Sequence, residues 1–308
     1  MIVIRCMSGL GNQLFQYALG RHLSLIHGRP LRLDASGYTA TEPDANAGTR
    51  QFGLDAFAVN GQVAAPEELE EFEIYRRVGT RGRIARLLNR WTPYHRRAVI
   101  QEASADYWRF QPSILTSRLA EPVCLVGFWQ SERYFADIDA TIRRDLTLKQ
   151  PPDAENIEIL SDIERANSIA IHVRHGDNAT GAAEKLGVLS SDYYQRAAAL
   201  IAAEIGEPHF FVFSDDPDWA AKTLMLPGPV TFITHNGDKR NHEDLRLMAA
   251  CKHHIVANST FSWWGAWLGK KHGQVVYAPS KYFLHSDQDC PDFYPNSWHL
   301  LPVEPGTP

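Results

Sequence analysis

Cysteine is scarce and scattered. Cys6, Cys124, Cys251 and Cys290 form no C-x-x-C pair in a chain of 308 residues. That spacing excludes a disulfide scaffold and a zinc site, and it fits a reducing compartment. No apolar run approaches the roughly 18 residues that a membrane span needs. Positive charge is not in excess either: the net charge is −5, which argues against nucleic acid as a general partner. Ile2-Val3-Ile4 enters a strand at once and leaves no room for a signal peptide, so the expected location is cytoplasmic. Internal repeats and low-complexity tracts are missing. The 44% hydrophobic and 22% charged content is that of a globular protein. Cores tend to split near ~250–300 residues, so this length suits two α/β domains.

The chain does carry a strand that ends in chemistry. Ile169-Ala170-Ile171-His172-Val173 reads as a buried parallel strand, and Arg174-His175-Gly176-Asp177 follows it into a turn. In open α/β sheets, ligands bind beyond the carboxyl ends of strands, and the planar fork of arginine suits phosphate oxygens. An anionic group held there, a phosphate or diphosphate, is one reading. An Arg174–Asp177 pair that satisfies a buried turn is the other. The same event recurs twice. Pro208–Phe213 is an apolar strand ending in Ser214-Asp215-Asp216, with Asp216 as N-cap and Pro217 at the first helical position. His254–Ala257 is a strand ending in Asn258-Ser259-Thr260 before a helix that begins near Phe261. Three polar strand ends describe one crevice over one sheet, which core packing alone explains poorly.

The first half opens as a βαβ unit. Strand Ile2–Cys6 is followed by a helix whose stripe is Phe15, Ala18, Leu19, Leu23 and Ile26, and strand Leu31–Asp34 comes after Gly28-Arg29-Pro30. Residues 39–109 read as irregular, and Val123–Val126 returns as a strand. The two prolines at 151 and 152 mark the linker, giving domains 1–150 and 151–308. Gly9-Leu10-Gly11 suggests a dinucleotide loop, but the third glycine position is Leu14 and the fingerprint fails. Asn12 and Gln13 then stand at a helix N-terminus, as a cap or as ligand contacts. Asp216-Pro217-Asp218 and Asp287-Gln288-Asp289 are acid-x-acid pairs of the kind that hold a divalent ion. The first is explained by its helix start, the second has no strand to position it, and the thirteen histidines show no H-E-x-x-H spacing. The expectation is no metal.

Five segments together carry a resemblance: S-G-L-G-N-Q-L-F-Q-Y-A at 8–18, G-F-W-Q-S-E-R-Y-F at 127–135, H-V-R-H-G-D at 172–177, F-S-D-D at 213–216, and H-H-I-V-A-N-S-T-F-S-W-W-G-A-W-L at 253–268. The chain resembles bacterial members of glycosyltransferase family 11, the α-1,2-fucosyltransferases. Ser8 stands where the family has glycine, and His175 where it has a second arginine. The resemblance implies a GT-B-type α/β fold of two Rossmann-like domains facing across a cleft, the first on the acceptor side and the second binding GDP-fucose. It implies GDP-β-L-fucose as co-substrate, with no further cofactor, a terminal galactoside as acceptor, inversion, and no metal. Arg174 would neutralise the leaving β-phosphate. Ser259 and Thr260 would add donors at a helix N-terminus. Phe261 would stack on guanine, with Asp215 or Asp216 accepting its protons and Ser214 and Asn258 lining the same donor crevice. Asn12 and Gln13 would face the fucose or β-phosphate. For Trp263, Trp264 and Trp267 the helix core is preferred. Asp177 and His172 are the candidates for general base, beside a route with little base assistance.

Between Tyr75 and Arg97 lie eight arginines (76, 77, 81, 83, 86, 90, 96, 97) and no acid. Ile84, Leu87, Leu88 and Trp91 fall at i, i+3, i+4, i+7, the pattern of a basic amphipathic helix. One reading is a solvated helix with one face packed on its domain. The other is a peripheral contact with an anionic membrane or lipid diphosphate through Arg76–Arg97, at the inner face of the cytoplasmic membrane, as would suit a lipid-linked acceptor. Two other functions remain open: a transferase for another nucleotide sugar such as GDP-mannose, or a non-catalytic glycan-binding protein.

Overall fold

The computed structural model describes residues 1–39, 50–103, 108–175, 186–286, 288 and 290–303, with Thr39 and Asp238 described by backbone alone. The chain divides into two compact units, one of residues 1–149 with 291–293, the other of 150–290 with the residues from 294. The boundary lies beside the paired prolines, and the short return of 291–293 to the first unit was not foreseen.

In the first unit β1 (Ile2–Arg5), β2 (Leu31–Asp34), β3 (Gln62–Val63), β4 (Val99–Gln101) and β5 (Val123–Val126) form a parallel sheet in the order β3-β2-β1-β5-β4. The helix Leu10–His27 is buried almost all round from Leu10 to Ser24, which its expected single stripe did not convey. Ile26, placed in that stripe, is 45% exposed because the helix is already leaving the core. Gly28 ends it in the left-handed region at φ 62°, and the N–H groups of Gly28 and Arg29 close onto Leu25 and Ser24. Residues 39–109, expected to be irregular, contain β3, β4 and the helix Thr80–Trp91.

In the second unit β6 (Asn167–Val173), β7 (Pro208–Ser214), β8 (Val230–Ile233), β9 (His253–Ile255), β10 (Val276–Pro279) and β11 (His299–Leu301) form a second parallel sheet, in the order β11-β10-β9-β6-β7-β8. Helices cover it, and each face has its own apolar cluster. One is built on Ile169, Ile171, Phe210 and Val212, the other on Ala170, Phe211, Phe213 and Leu247. Alternate residues of β6 and β7 therefore serve opposite faces, which is why these strands read as continuous apolar runs. No described helix is long and apolar enough to cross a membrane.

Candidate active site at the strand ends of the second unit

Strand order brings the three polar strand ends together. β9, β6 and β7 are consecutive neighbours, with Ile171 opposite Ile255 on one side and Val173 opposite Ser214 on the other. The winding runs from β6 to β7 and β8, then crosses back to place β9 on the free side of β6. The β6/β9 boundary is therefore the switch point, where α/β sheets open a crevice beyond their strand ends.

Arg174 and Ser259 meet across that boundary. Arg174 Nη1 lies 3.4 Å from Ser259 Oγ. Ser259 is the N-cap of the helix Thr260–Leu268, its Oγ accepting from the N–H of Phe261. A guanidinium thus stands beside the positive end of a helix, and two sources of positive potential converge on one place. Thr260 opens the helix and is buried. Backbone geometry is fixed by Tyr194, whose hydroxyl accepts from the Arg174 N–H at 3.5 Å.

On the β7 side the acids hold the turn rather than standing open. Asp215 accepts the N–H of His175 at 2.8 Å. Asp216 caps the helix Pro217–Thr223, one oxygen accepting from Trp219 N–H and the other 3.0 Å from His175 Nδ1. The hydrogen bond from Trp219, followed by the contact with His175, holds its carboxyl below the usual range. Ser214 Oγ accepts from the Asp216 N–H. With Asp216 as cap, Trp219 falls on the third helical residue, and its ring stacks on His175 at 4.3 Å and 17°. Trp219 and Tyr194 were not foreseen. The proline-opened helix start was the signal that could have placed Trp219.

Two sequence assignments are corrected. For His172, burial of the ring, reinforced by the charge of Arg174, pushes the pKa down to about 3, so the imidazole is neutral at neutral pH. Its ring lies 5.7 Å from that of Phe261. Asn258 is 2% exposed, and its amide donates to the carbonyls of Leu186, Gly187 and Tyr282. It clamps loops and does not line the crevice. Gln13, fully buried in the first unit, donates to Ser8 and Gln51 and accepts from Gly53, a clamp on the chain at 51–53. Asp177 lies outside the described residues. Phe261, assigned to guanine, is partly exposed and also packs on the Phe211 cluster. Trp263, Trp264 and Trp267 are core, each at most 3% exposed. His172 Nδ1 and His175 Nε2 are enclosed with no hydrogen-bond partner among the described residues.

The first unit has its own switch point at β1/β5, where Gln16 accepts from Met7 N–H and donates to Gly127. There Ser8 is held at φ 66°, and the Asn12 amide donates to its hydroxyl. Asn12 accepts in turn from Gln130, which accepts from the Trp108 indole. Glu102 receives the N–H groups of Phe128 and Trp129, and a Cβ on Gly127 would stand 2.5 Å from that of Glu102, so only glycine fits. Asn12 is thus partly exposed but engaged at both ends of its amide. No three His, Cys, Asp or Glu side chains among the described residues converge as a metal would require, and Asp287 and Asp289 lie outside them.

Comparison with known proteins bears on the family and the fold. Residues 87–299 match the model of glycosyl transferase family 11. An alpha-1,2-colitosyltransferase of Escherichia coli is 30% identical over 97% of this chain and 98% of its own length. The O-antigen biosynthesis glycosyltransferase WbnK, also of Escherichia coli, is 31% identical over 92% of this chain and 95% of its own. Among solved structures, an Arabidopsis thaliana FUT1 variant in complex with GDP superposes with a TM-score of 0.55 over 97% of this chain and 75% of that one. At 12% identity that likeness speaks for the fold, the GT-B-type α/β class. With its own motifs, both sheets and these matches in accord, the chain belongs to glycosyl transferase family 11.

Proposed function

We propose that this protein transfers L-fucose from GDP-β-L-fucose to the 2-hydroxyl of a terminal galactoside, inverting the anomeric carbon without a metal, in the synthesis of a surface glycan. The observation that carries the reading is the Arg174–Ser259 contact across the β6/β9 switch point, at the N-terminus of a nine-residue helix. A departing GDP leaves negative charge on its β-phosphate. A guanidinium and a helix N-terminus, fixed before the reaction, are suited to receive it. The second unit would hold the donor and the first the acceptor. Support for α-1,2 transfer comes from relatives: beside the colitosyltransferase, human galactoside alpha-(1,2)-fucosyltransferase 1 is 24% identical over 87% of this chain and 64% of its own length.

A second donor is favoured by one observation, the 30% identity to the colitosyltransferase over almost the whole chain. Colitose is the 3-deoxy form of L-fucose, so a GDP-linked colitosyl donor would differ from GDP-fucose at one hydroxyl. GDP-fucose and GDP-colitose, each offered with a panel of β-galactosides, separate the readings. Product linkage and anomer are read by NMR, with and without excess EDTA. We expect fucosyl transfer in an α-1,2 linkage that persists in EDTA. Transfer of colitose alone would replace the donor, and glycan binding without any turnover would make the protein a lectin. Loss in EDTA, restored by manganese, would return Asp216 and Asp218 to the role of metal ligands.

A further inference from the structure

The helix Thr80–Trp91 is mounted with its faces reversed. Toward the protein it turns Gly82, Ala85, Arg86 and Asn89. Arg86 donates to the carbonyls of Tyr75 and Arg77, and the Asn89 amide exchanges two hydrogen bonds with the backbone of Val99. Gly82 comes so close to the Arg77 carbonyl that a Cβ would lie 1.9 Å from its oxygen. The apolar stripe faces outward: Ile84 is 52% exposed, Leu87 57%, Leu88 65% and Trp91 81%, with Val78 beside them fully exposed. A surface helix normally hides such a stripe, and four large apolar side chains on one solvent face signal something that covers them.

Charge identifies what that is. Arg86, Arg76 and Arg97 serve the fold: Arg76 pairs with the buried Asp34, and Arg97 donates to Arg90 and Thr92. Arg77, Arg81, Arg83, Arg90 and Arg96 are exposed around the stripe, and on the helix Arg81 flanks one side while Arg83 and Arg90 flank the other. Arg81 and Arg83 sit in the first turn, where the helix dipole disfavours cations and no acid offsets them. Local stability did not place them. A second copy of this chain is a poor occupant, because a symmetric contact would bring the same arginines face to face.

We infer that this helix docks on an anionic lipid surface, with Ile84, Leu87, Leu88 and Trp91 entering the interface and Arg81, Arg83 and Arg90 at the headgroups. The stripe supplies the insertion and the arginines the preference for negative lipid. The inference rests on the proposed transferase reading only for its purpose, bringing the enzyme to a lipid-borne acceptor.

The test is co-sedimentation with vesicles of phosphatidylglycerol and phosphatidylethanolamine, against vesicles of phosphatidylcholine alone. The parent should bind the anionic vesicles, and less so as salt rises. Replacing Ile84, Leu88 and Trp91 together by Gln should abolish binding. Replacing Arg81, Arg83 and Arg90 together by Gln should weaken it about a hundredfold, each cation being worth roughly fivefold near such a surface. All six side chains are exposed, so both variants should fold by circular dichroism and keep parent transfer rates to a small soluble galactoside. No binding by the parent, equal binding to neutral vesicles, or concentration-dependent dimerisation abolished by the apolar replacements would overturn the inference. Failure of soluble transfer in all three proteins, with the parent still binding anionic vesicles as expected, would count against the transferase reading alone.

Discussion

Arg174 and His175 are adjacent in sequence and differ in what holds them. Arg174 reaches across the sheet to Ser259, whereas His175 is packed between the Trp219 ring and Asp216 with its backbone held by Asp215. Under the proposed transfer reaction, Arg174, beside the helix N-terminus, is the one of the two placed to meet leaving-group charge. Removing one preorganised donor of this kind typically costs about 10²–10³ in rate, so Arg174→Ala should fall by that much. Arg174→Lys keeps the charge but loses the planar fork and should also be badly impaired. His175→Arg should be tolerated, because a guanidinium can stack on Trp219 and pair with Asp216 as the imidazole does. Steady-state transfer for the three variants, with folding checked by circular dichroism, decides. A well-folded Arg174→Ala protein keeping more than about a tenth of parent turnover would place the phosphate elsewhere.

At the scale of elements, a polar cluster joins the start of the helix Ala154–Arg165 to the helix Asn241–Ala250. Asp153 caps the first helix, accepting the Asn156 N–H, and the Asn156 side chain donates to Asp153 and Asn236. The Asn236 amide donates to Asp244 at 2.8 Å. Burial pushes the Asp244 carboxyl up to about 6 from its ordinary 3.8. The folded protein therefore holds this proton more tightly than the unfolded chain. Its contribution is full below about 3.8 and lost as pH rises through about 6. Asp244→Asn keeps an oxygen for Asn236 and removes the charge. The variant should be more stable than the parent at pH 7, with the difference closing near pH 4, as read from urea midpoints. Equal midpoints at both pH values would mean the ionised carboxylate carries no penalty. Such clusters are not legible in a sequence, and neither are the duties of Gln13 and Asn258. Their partners at 51–53 and at 186, 187 and 282 are brought close only by the fold. The strand ends were legible, because an apolar run followed by polar residues and a helix cap is local information. β3 was not, its two residues both exposed on an edge. The stripe on Thr80–Trp91 was legible as a stripe. Its outward direction is set by Gly82 and Asn89, whose partners periodicity does not reveal.

At the scale of the whole molecule the two units differ in what acid does to them. The second holds two imidazoles, the partly buried His172 and the buried His254, each pushed down to about 3 by burial from an ordinary 6.5. His254 is 1% exposed, with Nε2 at 2.8 Å from the Met248 carbonyl and Nδ1 at 3.1 Å from the Gln274 amide. Their pKa values are depressed in the fold, so on acidification the unfolded chain takes up protons first. The stability each contributes is whole above about 6.5 and is lost progressively down to about 3. The slope approaches about 1.4 kcal/mol per pH unit for each imidazole. His253 shifts in the same direction, and Asp244 opposes these imidazoles between about 6 and 3.8, so the net loss in that window is smaller than theirs alone. In the first unit His27, near the surface, has its pKa lowered by burial and then by the charge of Arg29. Calorimetry should therefore show the second unit's transition moving down between pH 7 and 5 while the first unit's moves less. Asp244→Asn removes the opposing group and should make the second unit's decline steeper below pH 6. A decline led by the first unit, or an unchanged slope in the variant, would show that these buried groups do not govern the acid response.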